Sequence, residues 1–150
     1  MDLTPFQMRL LVALHGHAGW LVVALLAHPV VLLRTDGRKA PWSVGLATTS
    51  VTAVALAGGW LYVRYRALVR TDLFRSAPGV GWLFERKEHL ALGAVLFAWT
   101  GAAAYLAARR RADERAAWRR VARGSFAVAT LLAACVAAFG TWVTATRSFP

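Results

Sequence analysis

Four stretches of this chain, each about as long as a bilayer crossing, carry no Lys, Arg, Asp or Glu in their middles. That pattern limits the fold more than any other feature. A hydrocarbon core about 30 Å thick needs about 20 residues of helix at about 1.5 Å each. Lipid offers backbone N–H and C=O groups no partner, so each crossing segment must be a helix. The spans run over about residues 6–33, 42–63, 82–108 and 121–146. Pro5 and Pro41 open the first two, where a first helical turn tolerates proline. Trp42, Trp60, Tyr62, Tyr65, Trp82, Tyr105, Trp118 and Trp142 fall near these boundaries, the depth at which amphipathic rings sit. Trp20 and Trp99 fall near mid-membrane.

Composition agrees. Of 150 residues, 58% are hydrophobic, above the roughly half of a soluble domain. The formal net charge of +11 would point to nucleic acid in a soluble chain. Here the arginines gather between apolar blocks, as expected for span ends that meet anionic lipid headgroups, and nucleic acid is not expected as a partner. The lone cysteine, Cys135, lies inside an apolar run and reads as a small packing residue. The opening "MDLTPFQMRLL" lacks the basic region and cleavage site of a signal peptide, so the first span is expected to be retained. Heavy alanine and arginine usage points to a bacterial cytoplasmic membrane.

Small residues recur at four-residue spacing, for example Ala53 with Ala57 and Ala133 with Ala137. They let helices approach closely where lipid gives little drive to pack. The expected fold is an all-α membrane protein, a single domain built as an antiparallel four-transmembrane-helix bundle. Ten cations (Arg34, Arg38, Lys39, Arg109, Arg110, Arg111, Arg115, Arg119, Arg120, Arg123) lie on the side of the first and third connections. Eight (Arg9, Arg64, Arg66, Arg70, Arg75, Arg86, Lys87, Arg147) lie on the other. The positive-inside rule then places both termini outside. Between spans two and three, Arg64, Arg66, Arg70 and Arg75 interleave with Tyr65, Leu68, Val69, Leu73 and Phe74 at helical spacing, which predicts a short interfacial helix ended by a turn at Ser76–Gly79.

The chemistry lies in the histidines. His15, His17 and His28 sit within the first apolar block, and an ionisable group inside a span marks a functional site by default. His17 and His28 are eleven residues apart, about 1100° of helix, and share a face; His15 points roughly away from His17. His28 precedes Pro29, which can kink the helix and free the carbonyl of Leu25. His89 opens the third span beside Glu85 and Glu88, at a depth close to that of His15 and His17.

Three readings follow. In the first, His17 or His15 and His89 ligate one b-type heme for electron transfer, and Arg64, Arg66, Arg86 or Lys87 pairs with its propionates. His28 has no histidine partner on its side, which excludes a second bis-histidine heme; it is a candidate quinone or proton contact. In the second, Glu85, Glu88 and His89 with His15 or His17 hold zinc, iron or copper, although no H-E-x-x-H occurs. In the third, the histidines bond hydroxyls such as Thr48, Thr49, Ser50 or Thr52, Glu85 and Glu88 pair with nearby arginines or Lys87, and the chain is an accessory subunit of a larger respiratory or photosynthetic membrane complex. No phosphate loop, dinucleotide fingerprint or G-x-S-x-G occurs, so stand-alone catalysis is not expected. The partners expected are the lipid bilayer and other membrane subunits or redox proteins.

Overall fold

The computed structural model describes residues 4–35 and 40–146. Among them it shows five helices and no strand: α1 (Pro5–Leu32), α2 (Pro41–Leu68), α3 (Arg70–Ser76), α4 (Pro78–Arg110) and α5 (Arg115–Thr146). α1, α2, α4 and α5 are each long and apolar enough to cross a membrane. Their outward faces carry large apolar side chains, Trp42 at 90% exposure among them, which suits a multi-pass membrane protein.

Local chemistry sets the ends. Thr4 caps α1: its hydroxyl accepts from the Gln7 amide at 3.3 Å, and the Gln7 side chain accepts from the Thr4 amide at 2.8 Å. Pro41 and Pro78 stand in the first turns of α2 and α4, where a missing amide hydrogen removes no bond. α1 runs through Pro29 without ending, and Pro29 is fully buried. α2 extends five residues past the expected boundary, so Arg64, Tyr65 and Arg66 are helical. The expected turn at Ser76–Gly79 shrinks to Ala77 (φ −149°, ψ 70°), because Pro78 at once restarts a helix. The basic segment Arg115–Arg123 is helical rather than looped. Glu114 precedes it, accepting from the Trp118 indole at 2.7 Å and from Arg111 at 3.3 Å. Those two donors, the indole first, hold the Glu114 carboxyl below the usual carboxylate range.

The most extensive seam joins α4 and α5. Ala94, Ala98, Gly101 and Ala104 on α4 meet Ala122, Phe126, Ala129 and Ala133 on α5, all buried. Gly101 makes room for Phe126: a Cβ there would sit 2.8 Å from the phenyl ring. α1 borders α2 and α5, and α4 borders the same two, so α1 and α4 stand at opposite corners. Ala133 takes the inward position expected of it, whereas Ala53 and Ala57 point outward. Ala47 and Val51 carry the buried face of α2 instead; Val51 is two residues, about 200° of helix, from Ala53.

One end of the bundle is clasped. The Tyr105 hydroxyl accepts the Ala40 amide at 2.9 Å, Arg119 donates to the Thr35 carbonyl at 2.7 Å, and His28 Nδ1 meets Ser43 Oγ at 2.9 Å. Tyr105→Phe strands a buried N–H and is expected to cost about 1–2 kcal/mol, read as a lower midpoint of thermal unfolding in detergent. At the other end α3 lays Leu73, fully buried, against Tyr65, Val69 and Val143. Phe74 packs on Gly81, where a Cβ would approach the ring to 2.8 Å.

Candidate functional site

Between the clasped seam and α3 the four long helices do not close on one another. Gly16, Gly19, Gly58 and Gly140 supply no side chains there, and a cavity of about 540 Å³ remains, bordered by α1, α2, α4 and α5. Small-molecule pockets span about 300–1,000 Å³. Most of the wall is Val, Ala and Gly. The polar groups come from α1 (His15, His17), the end of α2 (Tyr62, Tyr65), the first turns of α4 (Lys87, Glu88) and the end of α5 (Thr141, Thr144).

His15 rests on α2, where Gly58 makes space: a Cβ at Gly58 would fall 3.1 Å from the imidazole Cε1. Its Nδ1 is buried without a hydrogen-bond partner. His17 stands on the other flank of the cavity. Its Nδ1 lies 2.7 Å from the Ala13 carbonyl oxygen. A carbonyl only accepts, so Nδ1 carries a hydrogen, and in the neutral ring Nε2 keeps its lone pair. Trp20 reaches across to Thr141 Oγ1 at 3.3 Å, and Trp99 to Thr52 Oγ1 at 3.2 Å.

Lys87 and Glu88 form an ion pair at 3.2 Å, and the Lys87 ammonium lies 4.2 Å from the Phe84 ring centre. Phe84 stacks on Tyr65 with centroids 3.7 Å apart, and Tyr62 flanks both at 6.0 Å. The Tyr65 hydroxyl is buried and unpartnered. Tyr62 donates to Glu85 Oε2 at 2.7 Å, and Arg70 Nε donates to Glu85 Oε1 at 2.9 Å, tying α2, α3 and α4 together. That bond to Glu85 raises the Arg70 pKa above the ordinary guanidinium value.

Of the histidines expected to converge, His15 and His17 border the cavity and His89 does not: it is exposed on α4 and outside the lining. Successive helical residues turn by about 100°, so Lys87 and Glu88 facing inward carries His89 away. Arg64 and Arg66 also lie outside the lining, whereas Lys87 is inside. Glu85 is engaged by Tyr62 and Arg70, and Glu88 by Lys87. Among the described residues, no three His, Cys, Asp or Glu groups stand close enough to hold a metal ion. His28 sits beside Ser43 rather than the hydroxyls expected, and Thr48, Thr49 and Thr52 turn back to carbonyls of their own helix. Sequence reasoning missed Tyr62, Tyr65 and Phe84 as site residues. The three-residue spacing of Tyr62 and Tyr65 placed both on one helix face and was the available signal. The chain matches no family model, no curated protein and no solved structure.

Proposed function

We propose that this chain is a multi-pass protein of a bacterial cytoplasmic membrane that holds a hydrophobic redox ligand in its cavity and serves electron transfer, alone or as a subunit. Its four spans form an antiparallel bundle, with α3 at the membrane interface and both termini outside. The contacts that support this arrangement pair rising with falling numbers: His28 with Ser43 and His15 with Gly58 for α1 and α2, Gly93 with Leu132 and Gly101 with Phe126 for α4 and α5.

One observation carries the ligand reading: His17 borders the cavity in the tautomer that leaves Nε2 free, the arrangement of a metal-ligating histidine whose other nitrogen is held by a carbonyl. A heme b would be held by His17 and would supply one-electron chemistry when bound. The bis-histidine form does not fit, since His89 lies outside the cavity. Protein purified from heme-replete cells is expected to show a dithionite-reduced heme spectrum, lost in His17→Ala and kept in His89→Ala. A colourless preparation rejects heme.

The lack of a metal-ligand cluster among the described residues weighs against a bare zinc, iron or copper site. A second reading, an accessory subunit, is favoured by the pairing of Glu85 with Tyr62 and Arg70, of Glu88 with Lys87 and of His28 with Ser43. It predicts co-purification with other membrane subunits and an assembly that survives His17→Ala. In either case the exposed arginines from Arg109 to Arg123 face anionic headgroups.

A further inference from the structure

The two ends of the cavity differ in chemistry. Toward α3 stand two imidazoles, two phenols and an ion pair; away from it the walls are Val, Ala and Gly. A ligand that fills such a space has a polar head and an apolar tail. The head is constrained further. Lys87, with a side chain only 12% exposed, already has Glu88 at 3.2 Å, so the pair is neutral together and calls for no second anion. What lacks a partner is buried: the Tyr65 hydroxyl and His15 Nδ1. A buried hydroxyl without an acceptor is destabilising, and a bound acceptor relieves that cost. The adjoining wall is flat and aromatic, formed by the Tyr65–Phe84 stack.

A neutral ring with acceptor oxygens meets each requirement. We infer that the cavity is a binding site for a quinone, its ring at the Tyr65–His15 end against the aromatic stack and its isoprenoid tail along the small-residue walls. The inference rests on the reading that the cavity holds a hydrophobic ligand, and it differs from heme only in the occupant. The Glu88 carboxylate, which also borders the cavity, is an acceptor for the reduced quinol.

Trp20 borders the cavity, and quinones quench indole fluorescence. Full-length protein in detergent micelles, titrated with decylubiquinone, is expected to show a saturable component of quenching that Trp20→Phe reduces. Tyr65→Phe, which removes only the hydroxyl, is expected to weaken that binding about tenfold. Ala137→Phe fills the tail region and is expected to abolish it. Leu131→Ala, on an exposed position of α5, is expected to leave it unchanged. Quenching that rises linearly with quinone and is equal in Tyr65→Phe overturns the inference. So does displacement by palmitate at equal concentration, which assigns the head to a carboxylate. A heme-loaded protein that takes no quinone overturns the quinone and leaves the redox-ligand reading standing. Protein that yields no extractable cofactor and binds neither heme nor decylubiquinone overturns both.

Discussion

Phe126→Ala is expected to lose about 3–5 kcal/mol of bundle stability, the largest effect of a single truncation among the described residues. Phe126 is 0% exposed and is the largest of the fully buried side chains. Its ring lies in the groove left by Gly101, on the most extensive seam of the fold. In lipid the apolar transfer term between helices is small, so what the phenyl contributes is contact: many close pairs, each about 0.1–0.2 kcal/mol, lost together when the ring becomes a void. Gly101→Leu tests the same seam from the other side, by forcing carbon into a space 2.8 Å from the ring. Overpacking of this kind costs about 1–3 kcal/mol. Both are read from reversible denaturation in mixed micelles. A Phe126→Ala loss under about 1 kcal/mol contradicts the packing described for α4 and α5.

Glu85→Ala is the second large effect, and it is local. Glu85 is the only carboxylate described as bonded to both α2 and α3, through Tyr62 at 2.7 Å and Arg70 at 2.9 Å. A hydrogen bond to a charged partner contributes about 1.5–3 kcal/mol, and the Tyr62 bond sets the expected loss. The solvent-facing Arg70 pair adds little. Without Glu85, the bond from Arg70 that ties α3 to α4 is lost. Cleavage by trypsin after Arg70 and Arg75 is expected to rise well before the long helices unfold. Glu85→Gln keeps an acceptor for Tyr62 and is expected to fall between the two. Equal protection of α3 in Glu85→Ala and the unaltered chain removes its role as the tie.

The long helices were legible because length and the absence of charge are properties of one segment at a time. Their ends were less so. Arg64 and Arg66 read as a membrane boundary, yet helical hydrogen bonding carries α2 through them to Leu68. The inward face was legible only where small residues left no choice. Ala133 faces in; Ala53 and Ala57 point out because Ala47 and Val51 fix the rotation of α2. The site suffered from the same uncertainty of rotation. Depth along the helix placed His89 level with His15, but the azimuth of α4 is set by Ala94, Ala98 and Gly101 packing on α5, far from the histidine itself. Tyr62 and Tyr65 read as interfacial anchors because aromatic rings near a span end serve that role in general. Their inward turn depends on Phe84 and Leu73, neighbours that no single segment reveals.

The Tyr105 and Arg119 ties, set against the hollow at the opposite end, make the bundle asymmetric in stiffness. Hydrogen bonds beside Thr35 and Ala40 hold the helices together at one end, while around the cavity small side chains leave them apart. The α4–α5 seam is the most extensive side of the bundle, and the α2–α4 contact is the least extensive of the four neighbouring pairs.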